Sequence, residues 1–186
     1  MNPSTEDIVN AINEINAEKI IILPNNSNII LAAEQAQSLI ELPIAVIPSK
    51  TIPQGISSLL AFDPSASLEE NKEAMTSALK NVKTGQVTYA VRDSKIDNIE
   101  INEGDIIGIA DGKIVTTSKS ILETSYDLLI EMIDEDSEIL TVIYGEDVTS
   151  EQVEELENKL LDKFPDIEIE LHNGGQPLYY FIFGIE

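Results

Sequence analysis

In the first half of the chain, apolar positions switch between helical and strand rhythm. Ile8, Ile12 and Ile15 recur at helical spacing behind Ser4, a good N-cap residue. Lys19 to Leu23 is a short apolar run ending at Pro24, which reads as a buried strand. The polar loop Asn25 to Asn28 opens a second helix with Ile29, Ala33, Ala36 and Ile40 as its inward stripe. Ile44 to Ile47 repeats the strand pattern and stops at Pro48. Ser49-Lys50-Thr51-Ile52 then leads into Pro53, which suits a helix start because its missing N–H would have no partner there. That helix is predicted over Gln54 to Phe62, with Pro64 as its stop. Ser67-Leu68-Glu69-Glu70 is a capping-box sequence, and its helix carries Met75, Ala78, Leu79 and Val82 on one face. Strand, helix, strand in this order predicts a right-handed parallel βαβ unit. Residues 1–85 are therefore expected to form a small Rossmann-like layer.

The second half changes rhythm. Gln86 to Val91, Ile96 to Ile101, Asp105 to Ile109 and Lys113 to Thr117 read as strands of a β-meander. Asp111-Gly112 supplies a two-residue hairpin turn. Ser120-Ile121-Leu122-Glu123 has the capping-box pattern and starts a helix with Leu122, Tyr126, Leu129 and Ile133 inward. After a strand at Ile139 to Tyr144, Thr149-Ser150-Glu151-Gln152 repeats the pattern. Its helix is expected to bury Val153, Leu156, Leu160 and Leu161. Ile167 to Leu171 and Leu178 to Ile185 are the last strands. The prediction is a two-lobed α/β fold with sub-lobes at about 1–85 and 86–186 and a seam near Lys83-Thr84-Gly85.

Composition narrows the function. The 186 residues carry 34 acidic and 11 basic side chains, a net charge of −23. Residues 1–85 hold 10 acidic and 5 basic groups, and residues 86–186 hold 24 and 6. Such a field repels nucleic acid and anionic membranes, and the surplus in the second half either suits a basic protein partner or simply keeps the protein soluble. The absence of cysteine removes disulfides, thiolate metal sites and cysteine catalysis. It also fits a reducing, cytoplasmic location. The polar N-terminal stretch lacks the features of a signal peptide, and no apolar run is long enough for a transmembrane segment.

No phosphate loop, GxGxxG or GxSxG motif occurs, and His172 is the sole histidine. Asp134, Asp136 and Glu138 alternate like calcium ligands but lack the loop glycine and distal Glu, so they read as a solvated turn. Three segments remain as candidates. Asn25-Asn26-Ser27, and Ser49-Lys50-Thr51 with Gln54 and Gly55 just behind, each follow a strand and precede a helix, where an open α/β sheet takes its ligands. A phosphate or carboxylate fits there, and so does ordinary helix capping. The third segment is His172, Asn173, Gly174, Gly175 and Gln176, read either as an anion-binding turn or as a plain connection between strands. Glu146 and Asp147 follow the strand Ile139 to Tyr144 and suit a cationic group on a partner.

The segments "IILPNNSNIILAAEQA", "IPSKTIPQGISSLLAFDP", "GQVTYAVRDS", "GDIIGI", "YGEDVT" and "LHNGGQPLYYFIFGIE" occur in order from Lys19 to Glu186. Together they resemble the C-terminal third of the larger, A-type component of bacterial fatty acid kinase, from the dihydroxyacetone-kinase-like (DAK2) family. The resemblance implies a fold similar to the DegV-like fatty-acid-binding subunits and a single C-terminal domain of a longer protein. It implies that ATP and magnesium bind an N-terminal domain missing here, so no cofactor and no catalytic residue is expected in this fragment. It further implies a partner, the fatty-acid-binding B subunit, and a parent kinase that makes acyl phosphate for phospholipid synthesis. The leading expectation is a docking domain for that partner. The alternative is a small-molecule module for a phosphate or carboxylate.

Overall fold

A computed structural model describes residues 2–96 and 99–186. The chain divides into two compact units, Met1–Val82 and Lys83–Glu186.

Unit 1 contains α1 (Thr5–Glu14), β1 (Ile20–Ile22), α2 (Ser27–Ser38), β2 (Ile44–Val46), α3 (Ile52–Leu60) and α4 (Leu68–Ala78), followed by a single 3-10 turn, Leu79–Asn81. β1 and β2 are parallel, with Ile20 opposite Ile44 and Ile22 opposite Val46. Ser4 caps α1 reciprocally: its Oγ accepts from Asp7 N–H at 3.1 Å, and Asp7 accepts from Ser4 N–H at 2.8 Å. Ile12, Ile20, Ala36 and Ile44 form one apolar cluster, and Ile47, Met75 and Leu79 form another. Ala33 and Ala36 are fully buried on α2, small enough for close packing. Ile15 departs from the expected stripe. It is the extended C-cap residue of α1 and half its surface is exposed.

Unit 2 contains β3 (Lys83–Tyr89), β4 (Ser94–Ile96), β5 (Ile99–Ile101), β6 (Ile106–Ala110), β7 (Lys113–Ser118), α5 (Ile121–Met132), β8 (Ile139–Tyr144), α6 (Ser150–Lys163), β9 (Glu168–Asn173) and β10 (Phe181–Ile185). A mixed sheet has the order β7-β6-β3-β10-β8-β9. Only its β8–β9 pair is parallel. The expected meander is corrected in one respect. β3 pairs directly with β6, while β4 and β5 form a separate antiparallel ribbon. The expected strand Ile96 to Ile101 includes residues 97 and 98, which lie outside the described residues. At the β6–β7 turn, Asp111 and Gly112 both have positive φ, as a type I′ hairpin requires. The Asp111 carboxylate also accepts from Thr84 N–H at 2.9 Å.

α5 and α6 cover the sheet around Leu128, Leu129, Leu156 and Leu160, which pack with Val87, Leu140, Val142, Phe181 and Phe183. Phe181 and Phe183 stack with ring centroids 5.5 Å apart. Leu161 lies outside this stripe and is 42% exposed, against the expectation that it would be buried. Thr149 and Gln152 form the expected capping box. At Ser120 the box is incomplete because Ser120 N–H already donates to Ser118 Oγ at 3.0 Å. Asp134, Asp136 and Ser137 form a local turn, with Asp134 also paired to Lys83.

Among the described residues of unit 2, one charged side chain is buried. Asp105 accepts from Lys119 Nζ and from Asn102 N–H at 2.8 Å. These partners, Lys119 first, hold its carboxyl below the usual range against the opposing effect of burial.

This packing sets two expected outcomes. Phe183→Ala should destabilise unit 2 by about 3–5 kcal/mol in chemical denaturation, while Leu161→Ala should cost less than about 0.5 kcal/mol. Because the Asp105 pKa is depressed on folding, its contribution is present above the unfolded pKa of about 3.9 and lost as pH falls through the folded value. Asp105→Asn should therefore lower Tm at neutral pH, and the gap to the parent chain should close in acid.

Candidate functional site

The strand ends of unit 1 meet at a buried hydroxyl. Parallel pairing sets β1 and β2 side by side, and Ile47 N–H donates to Ile22 O at 3.0 Å just beyond them. Asn25 then adopts positive φ, which Asn tolerates better than most residues. Its N–H donates to Ser49 Oγ at 3.1 Å, and Ser49 Oγ donates to Asn25 Oδ1 at 2.8 Å. Ser49 is fully buried. Gly55 on α3 lies directly beneath this pair, and a Cβ there would sit 2.1 Å from Asn25 Oδ1. The glycine is thus required by close approach, since its own φ is not in the left-handed region.

The start of α3 is equally occupied. Thr51 caps it by accepting from Gln54 N–H at 3.3 Å. Gln54 Oε1 accepts from Lys50 N–H at 2.9 Å, and its amide nitrogen donates to Leu79 O at 3.4 Å. The Lys50 side chain is exposed. Asn26 caps α2 through Asn28 N–H at 2.9 Å, and Ser27 is exposed in its first turn. Asn25, Lys50, Thr51, Gln54 and Gly55 therefore converge with Ser49 on one polar lock, while Asn26 and Ser27 belong to the neighbouring helix start. The closed bonding shows capping and strand-end bracing.

α3 itself is inverted. Pro53, Gly55, Ser57 and Ser58 face inward, while Ile52, Ile56, Leu59 and Leu60 are 43%, 42%, 56% and 80% exposed. Small inward residues let α3 sit close to α4, and Ser58 Oγ donates to Met75 O at 3.1 Å. The large side chains are left as an apolar stripe with spacing i, i+4, i+7, i+8. No acidic residue occurs between Glu41 and Asp63, and Lys50 is the one charged residue in that interval. The sequence carried this signal in the helical spacing of Ile52, Ile56, Leu59 and Leu60, but spacing alone does not say which face turns inward.

In unit 2 the segment His172 to Gln176 is brought against the end of β8. Gly174 and Gly175 N–H both donate to Tyr144 O, at 2.9 and 3.3 Å, so these amides are used within the fold. Gln176 Nε2 donates to Ile143 O at 3.2 Å and to Tyr179 O at 3.3 Å. Its backbone O accepts from Glu146 N–H at 3.2 Å. Gly145 admits this approach, since a Cβ there would lie 2.3 Å from Tyr179 O. His172 is exposed, with Nε2 3.6 Å from Glu170. Asn173 ends β9, paired with Tyr144. Glu146 and Asp147 are exposed beside this turn. Burial, then the Asp147 charge and Tyr89, push the Tyr180 hydroxyl pKa up.

Known proteins place this arrangement in a family. The model of the FakA-like fatty acid kinase family, C-terminal part, matches residues 1–186. Protein YloV of Bacillus subtilis (strain 168) is 53% identical over the whole chain. An uncharacterized protein of Staphylococcus aureus (strain USA300) is 49% identical over the same span. The chain spans 34% of the length of each of these curated relatives. The fold is similar to the fatty acid kinase B3 protein of Streptococcus pneumoniae loaded with linoleic acid, with a TM-score of 0.67 and 16% identity, covering 99% of this chain and 76% of that one. A DegV family protein from Corynebacterium glutamicum gives a TM-score of 0.68 at 13% identity, covering 99% and 83%. The mixed α/β architecture is thus DegV-like, and the chain belongs to the FakA-like fatty acid kinase family, matching its C-terminal part.

Proposed function

We propose that this chain is the docking domain of a longer, cytoplasmic fatty acid kinase, and that it recognises the fatty-acid-binding B subunit through the exposed face of α3. The parent enzyme uses ATP and magnesium bound elsewhere to make acyl phosphate for phospholipid synthesis. The observation that carries the docking reading is the inverted helix. Ile52, Ile56, Leu59 and Leu60 form an acid-free apolar stripe in a chain of net charge −23, and such patches mark interaction surfaces. The braced strand ends beneath α3 support the reading by fixing the face before a partner arrives. The exposed carboxylates of Glu146 and Asp147 supply a second, electrostatic contact to a cationic group.

The alternative, a module for a free phosphate or carboxylate at Lys50, has less support. Asn25 and Ser49 already bond each other, and Gln54 is engaged by Thr51 Oγ1 and Lys50 N–H.

A calorimetric titration with the fatty-acid-loaded B subunit tests the docking reading. Saturable binding is expected, with Ile56→Asp and Leu60→Asp each weakening it at least about tenfold, equivalent to about 1.4 kcal/mol, at unchanged Tm. Failure of the parent chain to bind, or indifference to both substitutions, would refute it. Raising the salt should weaken binding, and the double substitution Glu146→Gln and Asp147→Asn should flatten that dependence. A phosphate-induced rise in Tm that Lys50→Ala abolishes would favour the alternative instead.

A further inference from the structure

The chain enters β10 through a strained turn. Tyr179 N–H donates to Pro177 O at 2.9 Å, closing a γ-turn about Leu178, whose φ is 72°. The γ-turn with positive φ is the rare, strained form. Asn25 and Asp111, the other described non-glycine residues with positive φ, are of types that tolerate it, and leucine is not. Three residues earlier, Gly175 meets a similar demand with no side chain at all.

The turn is clamped on both sides. Thr88 Oγ1 donates to Leu178 O at 2.6 Å, and Tyr180 N–H donates to Val87 O at 2.9 Å. Gln176 Nε2 donates to Tyr179 O at 3.3 Å. A turn that only joined β9 to β10 would be relieved by glycine or asparagine at position 178. Strain of this kind persists where the surroundings enforce it and the side chain has a use.

That use is not internal packing, because Leu178 is 59% exposed. Its turn is bonded to the end of β3, where Tyr89 and Val91 are also exposed and Ala90 between them is buried. The Tyr89 and Tyr180 rings meet with centroids 6.3 Å apart, tilted by 58°. A leucine, a valine and two tyrosines thus form an apolar patch at one end of the sheet of unit 2, the kind of surface that marks an interaction site.

Charge selects what covers the patch. Glu146 and Asp147 are exposed at the same end, just after Gly145, whose N–H donates to Tyr180 O at 2.9 Å. Burial, then the Asp147 charge, raises the Tyr180 hydroxyl pKa, as a carboxylate within electrostatic reach of that hydroxyl does. Arg92 and Asp93, next after Val91, are exposed and opposite in sign. A cation is drawn here both by the carboxylates and by the faces of the tyrosine rings. A second copy of this chain is a poor occupant, since residues 86–186 hold 24 acidic and 6 basic side chains.

We infer that this end of unit 2 is a protein-docking surface, on which Leu178 enters an apolar pocket of the partner and a lysine or arginine at the rim of that pocket lies against Tyr89, Tyr180 and Asp147. The surface deepens the docking reading and rests on it for the partner, but it does not depend on α3.

The test is the titration with the fatty-acid-loaded B subunit, run beside thermal unfolding of each variant. Leu178→Gly should raise Tm, by up to about 4 °C, because it relieves the turn. The same variant should weaken binding at least about fivefold. Leu178→Asn, which tolerates positive φ, should keep the fold and weaken binding as much, and it carries the test should the glycine variant misfold. Asp147→Lys should weaken binding more than Asp147→Asn, and the gap should narrow as salt is raised. Binding indifferent to both Leu178 variants would overturn the surface, as would a loss of Tm in both that accounts for their loss of binding. A dimer of the parent chain that Leu178→Gly dissolves would assign the patch to a second copy and overturn it too. If the parent chain binds and Ile56→Asp weakens binding while the Leu178 variants do not, the docking reading stands and this surface falls. If the parent chain does not bind at all, both fall.

Discussion

Unit 2 depends on burying β10. Every residue from Phe181 to Ile185 is buried, and the strand lies between β3 and β8, bonded to both. A central strand has no edge through which its backbone can reach water, so each of its peptide groups must find a partner within the sheet. Phe181 and Phe183 then turn to the same side and meet α5 and α6. The backbone approach to Tyr179 and Gln176 and the absence of a side chain at Gly145 follow from the same requirement. The chain must return beside β8 with no space to spare.

Unit 1 is built on a smaller lever. Its parallel strands are three residues long, too short to fix a surface without side-chain help. The Asn25–Ser49 pair joins the two strand ends, and Gly55 lets α3 close over it. Small residues on the inner side of α3 bring it near α4 and leave its bulky residues outside. The proposed partner face has this origin.

Much of this was legible from residue order. The βαβ unit followed from two short apolar runs ending at Pro24 and Pro48, and the hairpin from Asp111-Gly112. Capping boxes at Ser67 and Thr149 marked true helix starts. What failed to show in the sequence was which partner a polar or apolar group would choose. Ser120 fits the capping pattern, but Ser118 takes its N–H first. A run of strands reads as a meander whether or not β3 skips the β4–β5 ribbon to pair with β6. Gly174 and Gly175 suggested open amides, and Tyr144 O takes both. Ile56 and Leu60 repeat at the spacing of a core stripe, and only the smaller volume of Gly55, Ser57 and Ser58 turns them outward. Periodicity finds an element, while close approach decides its orientation.

The brevity of β1 and β2 has a consequence for local opening. Protection of a backbone amide against hydrogen exchange reflects the apolar contacts that must separate to expose it. The buried clusters of unit 1 centre on Ile12, Ile20 and Ile44, and on Ile47 and Met75, whereas β8 and β10 lie in one continuous core. Amides of β1 and β2 therefore exchange through shallower openings than those of β8 and β10.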